Sequence, residues 1–266
     1  MTTSPNNTLL RVDKVSVRFG GLTAVDQVSF EVHPGELLGL IGPNGAGKTT
    51  MLRAITGVVR ASEGEVFLRD QALVQLSIDQ RVRRGMSLSQ QLVKPLRNMT
   101  LLENVTLAAG FHKTLSPLRS LLHVDSSTER SVALQMLESV GIADRAHQMP
   151  GTQPLGILKR LELARALALK PQLFLLDEPL AGLNSKEAQS LANTILDIHR
   201  AGMTIVLIEH NLGEVMRLCQ RLVVLDNGKK IGDGEPRAVM RDPVVQAAYL
   251  GGDVLASAQA QEADHA

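Results

Sequence analysis

The nine residues from Gly42 to Thr50 constrain this chain most, because they have the spacing of a loop that binds phosphate groups. They read Gly-Pro-Asn-Gly-Ala-Gly-Lys-Thr-Thr. The apolar run at 37–41 predicts a buried strand entering the loop, and residues 51–55 have the pattern of a helix leaving it. We therefore predict that the chain binds a nucleotide.

The residue types in this loop explain how it would hold phosphate. Glycine allows positive φ, which turns backbone N–H groups toward phosphate oxygens, and the helix that follows begins with a partial positive charge. Lys48, on a loop that we expect to be exposed, can reach the β- and γ-phosphates, and the Thr49 hydroxyl can bind Mg²⁺. The predicted nucleotide contacts in this loop are Gly42, Pro43, Asn44, Gly45, Ala46, Gly47, Lys48, Thr49 and Thr50.

Two acidic residues follow a second apolar run, at 173–176. Asp177 stands where a Mg²⁺-binding carboxylate belongs, and Glu178 can polarise the attacking water. The alternative for such a pair is an exposed turn or a helix cap, and the phosphate-type loop favours the catalytic interpretation. His210 also ends a predicted strand, at the sheet edge where ligands bind in open α/β folds, although a lone histidine is more often structural. The other six histidines show no metal-ligand spacing.

Composition narrows the class of protein. The net charge of +1 gives no reason to expect a polyanionic partner, and an aromatic content of 2% without tryptophan argues against single-stranded nucleic acid. Cys219 is the sole cysteine, so an internal disulfide cannot form. The N-terminus lacks the pattern of a signal peptide, and no apolar run has the length of a membrane span. We expect a cytoplasmic setting and no nucleic-acid partner.

Strand and helix patterns alternate along most of the chain, which predicts an α/β fold with a mostly parallel sheet. Alternating apolar residues at 9–19 and 24–32 predict an antiparallel β-unit ahead of the nucleotide fold, and 65–68 resembles a short edge strand. From about Gly85 helical patterns dominate, as in an inserted helical subdomain. The predicted divisions are 9–84 and 161–250 for the nucleotide-binding core, 85–160 for the helical subdomain and 251–266 for a disordered tail.

These motifs together resemble the ATP-binding subunits of ABC transporters, over residues 9–252. The matching segments are the loop at 42–50 (Walker A), the strand at 173–177 (Walker B), Glu178, Ala181-Gly182-Leu183-Asn184 and Ile208-Glu209-His210-Asn211. The resemblance implies a P-loop NTPase fold of the ABC type, ATP and Mg²⁺ as cofactors, and ATP hydrolysis. It also implies that Glu178 is the catalytic glutamate and His210 the switch histidine.

Two further roles come only from this resemblance. Gln91 rather than Gln90 corresponds to the family's Q-loop glutamine, because 85–91 and 99–105 keep the family spacing only in that way. Phe19 stands where the family stacks an aromatic ring on adenine, and the alternative is a buried strand residue. The resemblance thus implies catalytic roles for Gln91, Glu178 and His210, and Mg²⁺ ligation by Thr49, Gln91 and Asp177.

The segments at 100–105, 181–184 and 242–251 resemble the branch of ABC transporters that imports branched-chain amino acids. The ATPase of lipopolysaccharide export is the nearest relative of that branch. The implied function is to energise import of a branched-chain or other small hydrophobic amino acid. The alternatives are a related exporter such as that of lipopolysaccharide, a regulatory nucleotide-binding subunit with little turnover, and a soluble ABC protein of ribosomes or DNA, which would normally need two nucleotide domains or a coiled coil.

One motif departs from the family pattern. Where the signature Leu-Ser-Gly-Gly-Gln is expected, the chain has Gln153-Pro154-Leu155-Gly156-Ile157, and of it only Gly156 remains to contact nucleotide. Pro154 replaces a serine and offers neither a hydroxyl nor an N–H, although proline is compatible with a helix start. We therefore expect a heterodimer with a second ATPase carrying an intact signature, and a homodimer as the alternative. The other implied partners are membrane permease subunits and, indirectly, a substrate-binding protein, with the chain peripheral on the cytoplasmic face of the inner (plasma) membrane.

Overall fold

The computed structural model describes residues 8–89, 94–111 and 127–250. Contacts within the chain divide it into two compact units. The first takes its residues from Met1–Leu76 and Val206–Ala266, and the second from Ser77–Ile205. The chain therefore leaves the first unit after residue 76 and returns to it at residue 206. The tail predicted at 251–266 lies outside the described residues.

An antiparallel sheet begins the first unit. Its strands are β1 (Leu10–Phe19), β2 (Leu22–Val32), β4 (Glu63–Leu68) and β5 (Gln71–Ala72), in the order β2-β1-β4-β5. β1 and β2 form the antiparallel unit that their alternating apolar residues predicted. The strand predicted at 65–68 is confirmed as part of β4, but its predicted edge position is wrong, because β5 pairs with β4 and is itself the edge.

The first unit also contains a parallel strand pair. Its members are β3 (Leu37–Ile41) and β9 (Arg221–Asp226), and β10 (Lys229–Gly234) pairs antiparallel with β9. All five residues of β3 are buried, as its uninterrupted apolar run predicted. β10 is a strand that the apolar pattern of the sequence does not predict. Asn227 and Gly228 form the hairpin turn before it, with φ of 45° and 78°, the left-handed pair that a tight hairpin requires.

Helices complete the first unit. They are α1 (Lys48–Thr56), α7 (Leu212–Leu218) and α8 (Pro236–Val239), and residues 243–250 are also helical. Met51, Leu52 and Ile55 on α1 are each at most 1% exposed, which is the amphipathic spacing of a helix packed on one face. The strand β8 (Thr204–Ile208) spans the division between the units, and all of its residues are buried.

Within its described residues, the second unit combines two parallel strands with five helices. They are α2 (Ile78–Arg83), β6 (Met86–Ser89), α3 (Leu101–Ala109), α4 (Ser127–Ser139), α5 (Leu155–Ala168), β7 (Leu173–Asp177) and α6 (Ser185–Arg200), with single 3-10 turns at Ala143–Arg145 and Pro150–Thr152. Helical patterns were predicted from Gly85 onward, but β6 is a strand that pairs in parallel with β7. Four residues with two serines carry too little apolar pattern to predict it, and the buried neighbour β7 supplies the pairing.

Cys219 follows α7 and is 7% exposed. Burial raises the pKa of its thiol to about 12, so the thiolate form that reacts and binds metals is scarce at neutral pH. Among the described residues, no helix is both long enough and apolar enough to cross a membrane.

Candidate active site

The loop between β3 and α1 has the backbone that phosphate binding needs. Gly42 and Gly47 have φ of 147° and 99°, a region that side chains rarely allow. A Cβ at position 42 would lie 2.0 Å from the carbonyl oxygen of Leu225, and one at position 47 would lie 2.5 Å from that of Ala24. Both positions therefore require glycine for conformation and for space.

The loop passes directly into α1. Gly47 is the residue before the first helical position, and its carbonyl accepts a hydrogen bond from the N–H of Met51 at 2.8 Å. The first N–H groups of a helix have no partner inside it and attract anions. Thr49 and Thr50, in the first turn, are half-buried, whereas Asn44 at the loop tip is exposed.

Lys48 is not exposed as the sequence suggested, since only 5% of it is accessible. Its Nζ donates hydrogen bonds to the carbonyl oxygens of Gly42 at 2.7 Å and Pro43 at 2.8 Å. The ammonium group of Lys48 therefore contacts the backbone of its own loop. This is the loop that is predicted to bind the phosphates.

The β9–β10 hairpin supports this loop. The N–H of Gly228 donates to the carbonyl of Ala46 at 3.1 Å, and the carbonyl of Gly228 accepts from the N–H of Asp26 at 2.8 Å. Gly228 therefore connects the loop to β2 through two backbone hydrogen bonds. The Asn227-Gly228 dipeptide is a hairpin signal that sequence reasoning overlooked.

Asp177 and Glu178 lie at the end of β7 in the second unit. The four preceding residues of the strand are buried, and both acids are half-buried. The Oδ1 atom of Asp177 is shielded from solvent. Both carboxylates therefore lie at the end of a strand, as the apolar run followed by two acidic residues predicted.

Glu178 has a left-handed backbone, with φ of 49°. Such a conformation costs a non-glycine residue about 1–3 kcal/mol and is often found at functional sites. Its carbonyl accepts hydrogen bonds from Lys159 Nζ at 3.2 Å and from the N–H of Ala181 at 3.2 Å. Lys159, on α5, is 5% exposed. No sequence motif predicts that this buried lysine holds Glu178 in place.

The segment after Glu178 is tightly structured. Gly182 has φ of 78°, and a Cβ there would lie 3.1 Å from Leu155 Cδ2. Asn184 caps α6, since its side chain accepts from the N–H of Glu187 at 3.0 Å, and the Glu187 carboxylate accepts from the N–H of Asn184 at 3.3 Å. This capping box fixes the beginning of α6.

The altered signature lies at the beginning of α5 and does not harm that helix. Pro154 is the residue before the first helical position, and its carbonyl accepts from the N–H groups of Ile157 at 3.1 Å and Leu158 at 3.2 Å. Gly156 lies in the first turn, and a Cβ at that position would be 3.5 Å from Glu187 Oε1, an ordinary contact. The expectation that proline is compatible with this helix start is confirmed.

The remaining predicted residues fall in different places. His210 follows β8 and is exposed, next to Glu209, which is 5% exposed. Phe19 ends β1 and is 51% exposed, so the alternative of a buried strand residue is wrong. Gln91 lies outside the described residues. The structure places the loop, Phe19 and His210 in the first unit, and Asp177, Glu178 and Gly156 in the second.

Among the described residues, no group of three or more His, Cys, Asp or Glu side chains could hold a metal ion. A Mg²⁺ site of the predicted kind does not need such a group, because it uses one carboxylate, hydroxyl oxygen and the phosphates themselves. The half-buried Thr49 and the shielded Asp177 oxygen are hard oxygen donors of that type.

Comparison with known proteins identifies two family models in the chain. Residues 25–181 match the model described as ABC transporter. Residues 229–254 match the model described as branched-chain amino acid ATP-binding cassette transporter. The second match covers β10, α8 and the helical residues 243–250 that follow.

Individual proteins are similar to this chain over most of its length and most of their own. The high-affinity branched-chain amino acid transport ATP-binding protein LivG of Escherichia coli (strain K12) is 37% identical, over 91% of this chain and 98% of the relative. The lipopolysaccharide export system ATP-binding protein LptB of Acidithiobacillus ferridurans is 33% identical, over 91% and 97%. The crystal structure of the ADP conformation of MJ1267, an ATP-binding cassette of an ABC transporter, superimposes with a TM-score of 0.81 and 31% identity, over 92% of this chain and 99% of that one.

Proposed function

The chain belongs to the ATP-binding subunits of ABC transporters, and we propose that it hydrolyses ATP to drive import of branched-chain or other small hydrophobic amino acids. The observation that carries the proposal is the phosphate-type loop, with its left-handed Gly42 and Gly47 and its buried Lys48. The model for branched-chain amino acid transporters at 229–254 and the relative LivG support the cargo.

We infer that the first unit holds the nucleotide. The loop from Gly42 to Thr50 would surround the phosphates with backbone N–H groups, and Lys48 would exchange its two carbonyl partners for the β- and γ-phosphates. The bonds to the carbonyls have one charged partner, whereas a bond to phosphate joins two opposite charges and is stronger, which favours this exchange. Phe19, half-exposed at the end of β1, is available to stack on adenine.

Thr49, Asp177 and Gln91 are the proposed Mg²⁺ ligands. Their hydroxyl, carboxylate and amide oxygens are the hard donors that this cation prefers, and the shielded Oδ1 of Asp177 fits such a role. When bound, the cation would neutralise phosphate charge. Asp177 itself would contribute a fixed negative charge at the end of a rigid, buried strand.

Glu178 is the proposed residue that orients and polarises the attacking water. Its backbone is left-handed and is held by Lys159 and Ala181. This backbone conformation would set the direction of the Glu178 side chain. His210 would sense the γ-phosphate from the end of β8, and Gln91 would link the site to the permease. In this proposal the loop binds ATP and Glu178 activates the attacking water.

The chain would act as part of an assembly on the cytoplasmic face of the plasma membrane. Its proposed partners are permease subunits, a second ATPase subunit and, indirectly, a substrate-binding protein. ATP would lie between the loop of one ATPase and the signature of the other, so that hydrolysis requires a dimer. A lipopolysaccharide exporter is the second candidate, because LptB is 33% identical over nearly the same length.

The altered signature leads to a testable asymmetry. Pro154 and Ile157 lack the polar groups that a partner's nucleotide would contact, so the partner's site would be the weaker one. In a heterodimer, we expect Glu178→Gln to lower turnover of the assembled transporter by roughly 10²-fold or more. The equivalent substitution in the partner should have a much smaller effect. The measurement is steady-state phosphate release with one ATPase altered at a time.

The variant Pro154→Ser provides a matched test of the same idea. Serine is a preferred residue before a helix and restores both a hydroxyl and an N–H, so it should raise turnover at the partner's site without harming α5. Equal loss from both glutamine substitutions, or full activity of this chain as a homodimer, would contradict the asymmetry.

Cargo is tested by uptake. The assembled transporter is placed in vesicles with ATP on the ATPase side, and accumulation of labelled leucine, isoleucine and valine is compared with that of lysine and glutamate. We expect ATP-dependent uptake of the hydrophobic amino acids only. ATP hydrolysis without uptake of any amino acid, together with lipopolysaccharide extraction, would favour the exporter instead.

A further inference from the structure

We propose that Lys159, on α5, is a positioning residue for ATP hydrolysis, because it holds the backbone of the residue that is proposed to activate water. Its Nζ atom donates a hydrogen bond to the carbonyl oxygen of Glu178 at 3.2 Å. The inference rests on the proposed catalytic role of Glu178 and gives this contact a kinetic consequence. Lys159 would control the rate of hydrolysis through Glu178 rather than by acting on the nucleotide.

The conformation of Glu178 requires support from its surroundings. The residue directly follows β7, and its φ of 49° lies in the left-handed region, which is strained for a residue with a side chain. Its carbonyl oxygen accepts a hydrogen bond from the N–H of Ala181 at 3.2 Å, within the turn that follows. The bond from Lys159 comes from another element and therefore ties the strained residue to α5.

The carbonyl group is an effective place to hold Glu178. It belongs to the planar peptide unit that begins at the Cα of Glu178, so a hydrogen bond to it restricts rotation about the Cα–C bond. The carboxylate projects from the same Cα. A displacement of about 1 Å from a reacting geometry can lower a rate by roughly 10²-fold. A small rotation of this backbone would therefore impair the activation of water.

Lys159 is more deeply buried than its charge alone would favour. Only 5% of the residue is exposed, and lysine is almost never fully buried unless its ammonium group is paired. Burial of a charge costs free energy unless hydrogen bonds compensate for the lost water. An apolar side chain would fill the same space at a lower cost. The ammonium group at this position is thus explained by its hydrogen bonding rather than by packing.

The helix that carries Lys159 is itself fixed to its neighbours by the next residue, Arg160. Its Nη1 atom donates to the carbonyl oxygen of Val140 at 2.6 Å, at the end of α4. On α6, Thr194 Oγ1 accepts from Nη1 and Ser190 Oγ accepts from Nη2, both at 2.8 Å. These bonds hold α5 in place, so Lys159 contacts Glu178 from a firm support.

The variant Lys159→Met removes the ammonium group and keeps an unbranched side chain of similar length. We expect the single-turnover rate of ATP hydrolysis by the assembled transporter to fall by roughly tenfold to 100-fold, as for a lost charge-assisted hydrogen bond or a displaced catalytic group. The dissociation constant for ATP with Mg²⁺, measured on the purified full chain, should stay within about twofold of wild type, because the phosphate-binding loop is unchanged. Since only bound ATP is followed, a smaller folded fraction would not lower the single-turnover rate.

The double variant Lys159→Met/Glu178→Gln distinguishes positioning from a separate structural role. Glutamine at position 178 lacks the charge that polarises water, so its displacement should matter little. We expect the double variant to hydrolyse ATP within about twofold of the rate of Glu178→Gln alone, because residues that act as a unit are not additive. Losses that multiply would show that Lys159 acts independently of Glu178 and would overturn the inference.

Lys170→Met is the matched control. It makes the same substitution at an exposed lysine that follows the other end of α5, and it should hydrolyse ATP at the wild-type rate. Lys159→Gln replaces Lys159→Met if the latter fails to fold. Its amide is neutral and its side chain is one bond shorter, so its single-turnover rate should also fall by more than about twofold.

A single-turnover rate of the folded Lys159 variant within about twofold of wild type, while Glu178→Gln remains slow, would overturn the inference and leave the proposed function intact. Hydrolysis by Glu178→Gln at the wild-type rate would instead overturn the proposed role of Glu178. The expected result is a slow Lys159 variant that binds ATP normally and adds no further loss to Glu178→Gln.

Discussion

Glu178→Gln is expected to reduce ATP turnover by roughly 10²- to 10⁴-fold, the range for loss of a positioned general base. The amide keeps the shape of the side chain but loses the charge that polarises water. ATP binding should persist, because Lys48, Thr49 and Asp177 are unchanged, and a closed dimer with bound ATP should accumulate. The measurement is single-turnover hydrolysis by the assembled transporter, together with equilibrium ATP binding.

The substitution also separates charge from backbone strain. Glutamine must adopt the same left-handed conformation, φ of 49°, that Lys159 and Ala181 hold, so the free energy of unfolding should change little. Glu138→Gln, at an exposed position of α4, is the control and should retain wild-type turnover. Single-turnover hydrolysis by Glu178→Gln at the wild-type rate would assign the catalytic role to another residue.

Lys48→Ala is expected to weaken ATP binding by about tenfold to 150-fold, which corresponds to the loss of one charge-assisted hydrogen bond of about 1.5–3 kcal/mol. The structure adds a second effect. The variant also loses two hydrogen bonds, to the carbonyls of Gly42 and Pro43, so the empty loop should become less ordered. Equilibrium binding of ATP with Mg²⁺ measures the first effect, and protection of the loop amides from hydrogen exchange measures the second.

Arg60→Ala provides the control for Lys48→Ala. It removes one positive charge from an exposed position of the same unit, so it tests whether net charge alone explains the loss of affinity. We expect its ATP affinity to match that of wild type within about twofold, as is usual for exposed charges. Unchanged ATP binding by Lys48→Ala would show that the loop is not the phosphate site.

The features that the sequence predicted well are those encoded by neighbouring residues. The loop from Gly42 to Thr50 combines a local spacing with a local backbone requirement, and a buried strand and a helix flank it as predicted. The alternation in β1 and β2 likewise encodes one face of a sheet, and the two strands pair as predicted. The apolar run before Asp177 gives the strand and places the acid at its end.

The features that the sequence did not predict depend on the folded conformation of the chain. The sequence predicts an exposed Lys48, but this residue is 5% exposed and its amine donates to the carbonyls of Gly42 and Pro43 in its own loop. Lys159 holds the backbone of Glu178 from another helix. No spacing rule predicts either contact, because each depends on the folded conformation of the backbone.

Two missed strands illustrate different limits. β6 is short and half polar, so only its pairing with β7 makes it a strand. β10 follows an Asn227-Gly228 turn that does carry a recognised hairpin signal, but its own residues, Lys229 to Gly234, lack an apolar alternation. The sequence therefore carries a signal for the turn but none for the strand that follows it.

We propose that ATP hydrolysis, through this chain's loop and Glu178, drives amino-acid import, and simultaneous measurement of hydrolysis and import tests this coupling. Phosphate release and uptake of labelled leucine are recorded in the same vesicles, with wild-type chain or with Glu178→Gln in this subunit alone. We expect both rates to fall together in the variant, by roughly 10²-fold or more, while ATP remains bound. Leucine uptake that continues at the wild-type rate while this subunit carries Glu178→Gln would contradict it.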